Sequence, residues 1–416
     1  MRQGGVSSTP HDALPVATGW RDRAILVVGA IFIASLQLPG TVALRLSLLA
    51  LLVALALVDI TRLRAVPRPI VIALVLWAAL SGLSLVNAIN LAYSSREFLN
   101  EIVYTSIAFL VFFILAASLR RVLVWRNAFL VATLVLGAVA VAVQLVRPDD
   151  IHRGAHGGPG TVATFLIVGL PLLILAGIPA WHGSFSRWLV ACGLLVWFTA
   201  AWASENRIVW PIALVSSLFM MGMLYRYDGK AAGLARFGRR QWLMVGLILI
   251  AFVAAFAVSQ VKRVKTTELE TAMKRLDRDP RLNIWSAAVQ AAKSAPWTGF
   301  GVGRGVLSGK LRTESNDPMG WHGHNVLINA IISLGPAGPL VLLFLLGSLI
   351  AALVPALRGD DRDRRLLAIA GITVIGAFFL RSMTDDFFYR HNAIMFWSWN
   401  GILLGYVTWP GERRIS

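Results

Sequence analysis

Runs of apolar residues separated by short polar connections recur along the chain, at approximately 24–39, 42–60, 69–88, 98–118, 125–146, 160–180, 188–205, 207–225, 242–260, 326–357, 366–383 and 392–409. Most are about 17 to 22 residues, the length at which an α-helix crosses a bilayer, whereas a barrel strand needs only about 10. Spanning helices satisfy their own backbone groups in lipid. The pattern therefore predicts an all-α polytopic membrane protein with about twelve transmembrane helices. The predicted organisation is a cytoplasmic tail over 1–23, helices 1–9 over 24–260, a hydrophilic loop over 261–323, helices 10–12 over 324–409 and a cytoplasmic tail over 410–416.

Within the long loop, Thr267 and Glu270 have the spacing of a capping box. Leu269, Met273 and Leu276 form an apolar stripe behind it. Asp279-Pro280 reads as an N-cap followed by proline at the first helical position. A second helix is predicted over about 281–294, with Trp285, Ala288, Val289 and Ala292 on one face. Gly299, Gly301, Gly303 and Gly305 follow, a spacing that fits neither a dinucleotide fingerprint nor a P-loop.

Composition supports lipid as the solvent. The chain of 416 residues is 57% hydrophobic and 14% charged, against about 25% charged in soluble domains. Residues 1–23 are polar and the first run reads as an uncleaved anchor. The single cysteine, Cys192, lies in an apolar run and has no partner for an intramolecular disulfide.

The net charge is +18, from 39 Lys+Arg against 21 Asp+Glu. No basic domain stands apart from the apolar runs, which argues against a nucleic-acid partner. The cationic residues follow the positive-inside rule instead. With the N-terminus inside, every connection expected inside is basic, including Arg62/Arg64/Arg68, Arg120/Arg121/Arg126 and Arg358/Arg362/Arg364/Arg365. Basic residues on the other side are exceptions that topology does not explain: the stretch 147–153 with Arg153, Arg207, the loop 261–323, Arg381 and Arg390.

Those exceptions are where chemistry is expected. Arg207 sits in the turn Ser204-Glu205-Asn206-Arg207, where a guanidinium suits a phosphate, or snorkels or pairs with Glu205. Arg281 opens the second loop helix, and a helix N-terminus with an arginine is a ready anion site; Arg275, Arg278 and Arg304 compete with it as loop cations. His324, in His322-Gly323-His324-Asn325, is a candidate general base. The alternatives are a hydrogen-bonding interfacial histidine or a His-x-His metal pair, the latter lacking any Cys, Glu or third His nearby in sequence. Asp385 and Asp386 follow Arg381, free to bind a cation, orient His324, or pair with Arg207 or Arg381. Asp360, Asp361 and Asp363 read as a self-paired, solvated loop.

His324-Asn325, nine residues, then Gly335-Pro336-Ala337-Gly338 resembles the signature of the O-antigen ligase and polymerase superfamily of bacterial inner membranes. Arg281-Leu-Asn-Ile-Trp285, Pro296 and Gly299-Phe-Gly301-Val-Gly303 resemble the same superfamily's large-loop pattern. Ser204-Glu205-Asn206-Arg207 stands where that family carries another arginine, with two residues inserted into its usual Ser-Arg-Gly form. The resemblance implies a metal-independent glycosyltransferase of GT-C type, without cofactor, acting at the periplasmic face. Its donor would be an O-antigen glycan on undecaprenyl pyrophosphate and its acceptor a sugar hydroxyl of lipid A–core. It implies His324, Arg207 and Arg281 as catalytic residues, with Trp285 and Asn325 beside them; the charge pattern adds Arg153, Arg304, Arg381 and Asp385 as expected substrate-side residues. A polymerase or protein O-oligosaccharyltransferase of the superfamily would share this set; a single large late loop favours the ligase. Twelve helices would also suit a secondary transporter, although no symmetry between halves is evident.

Overall fold

The computed structural model describes residues 19–146, 158–178, 181, 184–229, 250, 253–254, 257–258, 280–316 and 320–409. It is all-helical, 80% helix with no strand among the described residues. The predicted run 242–260 lies largely outside the described residues; the capping-box helix, Asp279, Arg153, Arg275 and Arg278 lie wholly outside them.

The helices in chain order are α1 (Trp20–Ser35), α2 (Val42–Leu57), α3 (Arg68–Ser84), α4 (Leu91–Phe98), α5 (Tyr104–Leu115), α6 (Leu119–Val146), α7 (Pro159–Ala176), α8 (Arg187–Ala203), α9 (Val209–Asp228), α10 (Pro280–Lys293), α11 (Ser308–Ser315), α12 (Val326–Leu334), α13 (Ala337–Leu357), α14 (Arg362–Ser382) and α15 (Arg390–Thr408). Seven helical segments among the described residues are long and apolar enough to cross a membrane, with α2 and α8 shorter apolar helices beside them. This marks the chain as membrane-embedded.

Two predicted runs change form. The run 326–357 is not one helix: Gly335 takes φ +74° and Pro336 follows, so α12 stops and α13 starts afresh. The run 98–118 begins earlier, at α4, which Asn90 caps by accepting from Tyr93 N at 3.0 Å. A π-helical turn, Leu99–Val103, joins α4 to α5.

α7 and α14 form the centre, with α14 packed against α7, α9, α13 and α15. α15 lies tightly on α5, because Gly401 and Gly405 let its backbone approach the carbonyls of Phe109 and Phe113. One end of the bundle is stitched by ion pairs and a hydrogen bond between helix ends. Asp228, at the end of α9, accepts from Arg362 and Arg365 at 3.1–3.2 Å. Trp181 donates to Asp363 at 2.6 Å, and Arg121 pairs with Asp22 at 2.6 Å. The 360–363 region is thus only partly the self-paired loop expected: Asp361 does pair with Arg364, but its neighbours tie three helix ends together. α9 and α14 run antiparallel, so Arg207 and Arg381 share the opposite end.

At that opposite end, the segment 280–316 has its own small core of Ala287, Ala288, Ala291, Leu307, Leu311 and Ile332. The buried face of α10 is therefore Ile284, Ala287, Ala288 and Ala291, a rotation away from the predicted face. Val289 is exposed, and Trp285 is half-buried. The i, i+3, i+4, i+7 set of small residues wins because α10 must come close to α11 and α12.

The glycines explain themselves by contact. Gly299, Gly301 and Gly303 all have positive φ, and their chain runs beside the end of α12, with Phe300 N donating to Ile332 O at 2.9 Å. A Cβ at Gly299 would lie 2.3 Å from the Ser333 carbonyl. Gly299→Ala is expected to destabilise the protein by at least about 2 kcal/mol, from left-handed strain plus displaced backbone. A wild-type melting temperature in detergent would contradict this.

Candidate functional site

The site is built where the loop 320–325 meets the loop 383–389. Asn325 caps α12, its Oδ1 accepting from Leu327 N and Ile328 N at 2.9 and 3.2 Å. Its Nδ2 donates to Met383 O at 3.0 Å, joining the two loops. Gly323 N donates to Asn329 Oδ1 at 2.8 Å, and Asn329 Nδ2 donates to Asp386 Oδ2 at 2.9 Å. Asn325, expected on the substrate side, is thus largely committed to holding this corner together.

His324 stands just before the cap, at φ +44°, a left-handed conformation that turns its ring back toward His322. Its backbone N–H donates to His322 Nδ1 at 2.9 Å. His322 Nε2 and His324 Nδ1 both lie 3.2 Å from Asp385 Oδ1. Burial, only partly opposed by Asp385, lowers His322 to about 4, so it is neutral. With Nδ1 accepting, the His322 proton is on Nε2 and faces Asp385. Burial pushes the Asp385 carboxyl up, but the two histidines and Arg381 outweigh it, and it lies well below its usual range. An ionised Asp385 at 3.2 Å favours the proton of His324 on Nδ1 and leaves Nε2 as the basic nitrogen, as in a base oriented by a carboxylate, although neither histidine contact to Oδ1 has hydrogen-bond geometry in this structure. Of the roles open to Asp385, the geometry takes the orienting one.

Arg304 is a clamp on this corner. Its guanidinium lies between the rings of Trp321 and Tyr389, 4.5 and 3.9 Å from their centroids, and donates to the Asp386 carbonyl. Arg381, at the end of α14, is 1% exposed. It donates from Nη1 to Thr384 Oγ1 at 3.2 Å and lies 4.0 Å over Phe387. Its Nε and Nη2 are buried without a hydrogen-bond partner. The N-terminus of α7 abuts it: a Cβ at Gly160 would stand 3.5 Å from Nη2. Arg281, on the first turn of α10, is within electrostatic reach of Arg381. Two guanidiniums and a helix N-terminus in one region suit an anion.

Two expected residues remain, Trp285 and Arg207. Trp285 is one turn beyond Arg281, with its indole N–H buried and lacking a hydrogen-bond partner. Arg207 lies in the α8–α9 turn beside Glu205, which has φ +51° and accepts from Gln144 at 3.1 Å. The partnership of His322 and Asp385 was not legible from spacing, since 63 positions separate them; the His-x-His pair was the visible half. A further metal ligand, absent near that pair in sequence, does lie near it in three dimensions. His322, His324 and Asp385 offer three ligand atoms within 4.8 Å of one another. Glu101, an acidic residue in an apolar run, carried a signal that an intramembrane carboxylate always carries.

No protein-family model matches the chain, and no curated protein matches it.

Proposed function

We propose that this is a polytopic glycosyltransferase of GT-C type that uses a lipid-pyrophosphate donor at the outer face of a bacterial inner membrane. Within that class it is read as an O-antigen ligase, moving O-antigen from undecaprenyl pyrophosphate to a sugar hydroxyl of lipid A–core. About twelve spans with both termini inside, set by the arginine alternation, belong to this proposal. The observation that carries it is a base and an anion site at one end of the bundle: His324 held by Asp385, beside Arg381 with two buried unpartnered donors.

In this reading His324 Nε2 takes the proton of the acceptor hydroxyl as its oxygen bonds to the anomeric carbon. The bond from that carbon to the pyrophosphate oxygen breaks, and the electron pair leaves with the pyrophosphate. Arg381, Arg281 and Arg207 stabilise the charge that develops there. Asp385 steadies the imidazolium. Displacement by one nucleophile inverts the anomeric centre.

The test is transfer of glycan from a lipid-pyrophosphate donor to lipid A–core by purified protein. In cells, a disruption strain is expected to leave bare lipid A–core while lipid-linked polymer accumulates; core capped by a single repeat unit would favour the polymerase. Substrate flux in proteoliposomes without transfer would favour a transporter.

A second reading rests on the cluster itself. Two histidines and a carboxylate at 3.2 Å separations suit a divalent transition metal with bonds of about 2.0–2.2 Å. The proposed mechanism does not need one, so turnover is expected to survive exhaustive chelation. Activity lost in chelator and restored by zinc or manganese would replace the base mechanism with a metal-assisted one.

A further inference from the structure

A mostly apolar cavity that includes Asp386 but neither histidine in its lining is not used by the proposed transfer. It has a volume of about 50 Å³, room for an ion and a few waters. Ser81 from α3, Glu101 from the π-helical turn, Asn329 and Ser333 from α12, and Asp386 are the polar side chains of its lining besides Arg304, with Asn329 Oδ1 already accepting from Gly323 N. An apolar floor of Trp77, Leu342 and Trp397 continues beneath Glu101.

Two features set it apart from a merely acidic corner. Ser81 is 0% exposed and its Oγ has no hydrogen-bond partner. Glu101 Oε1 is also buried without one. The charges around the cavity do not balance either. Glu101, Asp386 and Arg304 line it, and Glu97 and Arg390 act on Glu101 from outside the lining, three carboxylates against two guanidiniums. The one Glu97–Arg390 contact is long, at 3.9 Å, and Arg304 gives its hydrogen bond to a backbone carbonyl of Asp386. Asp385 has its own partners in Arg381 and the histidines. A buried carboxylate left over in a low-dielectric site must gain a positive charge or give up its own.

We propose that this cavity binds one monovalent alkali cation, held by Glu101 and Ser81 with Ser333, Asp386 and water completing an oxygen shell. All-oxygen ligation suits a hard cation. The excess of a single negative charge selects one positive charge over two, and a divalent ion would press against Arg304. A proton on Glu101 with water at Ser81 is the rival occupancy, and it predicts no response to alkali salts. The π-helical turn is the local device, because the extra residue in the turn redirects Glu101.

The inference stands apart from the transfer reaction, and its test reads no transfer. The purified full-length protein is titrated with NaCl or KCl against choline chloride at constant ionic strength. The melting temperature is expected to rise by a few degrees, saturably, with an alkali ion, and radiolabelled sodium or rubidium is expected to bind stoichiometrically. Glu101→Gln should abolish the response. Ser81→Ala, which keeps the charge, should raise the half-saturating concentration several-fold, and it decides the matter if Glu101→Gln does not fold. Equal stability in choline and alkali salts with no bound label would overturn the proposal. So would saturation by calcium or magnesium below the alkali range, or an unchanged alkali response in Ser81→Ala.

Discussion

A His324→Ala protein is expected to fold, to bind lipid-pyrophosphate donor as the wild type does, and to transfer glycan about 10²–10⁴-fold more slowly. The imidazole is the group placed to take the acceptor's proton, and its removal leaves the anion site intact. Asp385→Asn should fall in the same range, with the loss in kcat and little change in donor KM. An asparagine can still touch both histidines but does not hold the His324 proton on Nδ1 or steady an imidazolium. A His324→Ala protein with full turnover would sink the base assignment. A rise in donor KM with kcat unchanged in Asp385→Asn would move Asp385 from orientation to binding.

Arg381→Met is expected to lower transfer by about 10²–10³-fold and to weaken inhibition by inorganic pyrophosphate. Its melting temperature should stay close to wild type. The side chain makes one hydrogen bond, to Thr384, and keeps two buried donors without a partner. A guanidinium retained for stability would be expected to use those donors within the protein, because a buried charge with unmet hydrogen bonds is costly. Methionine fills a similar volume without that cost. Wild-type turnover and pyrophosphate response in Arg381→Met would mark Arg381 as a structural cation. A large drop in melting temperature with unchanged turnover per folded molecule would do the same.

Much of the helical plan was legible. α1, α2, α3, α7, α8, α9, α14 and α15 begin and end within a few residues of their apolar runs, because an apolar stretch has one satisfactory conformation in lipid; α6 starts six residues before its run. The split of 326–357 was carried by Gly335-Pro336, quoted as a motif but not read as a break. Spacing puts Trp285, Ala288, Val289 and Ala292 on one face of α10 but does not say which face is buried. In the structure three alanines are buried there and the tryptophan is left half-covered at the edge.

For the site, the sequence by itself determined which charges needed explaining. Positive-inside bookkeeping left Arg207, Arg281, Arg304 and Arg381 as cations without a topological reason, and marked the His322–Asn325 turn beside them. Only the tertiary structure decided their partners. Asp385 belongs to His324 and His322, Arg304 to the 383–389 loop, and Asn325 to the cap of α12. The reason is physical: a periodicity reports what one segment does against a uniform solvent. A buried ionisable group is settled by whichever distant atom arrives within about 3 Å of it, and that depends on how helices far apart in the chain stack side by side.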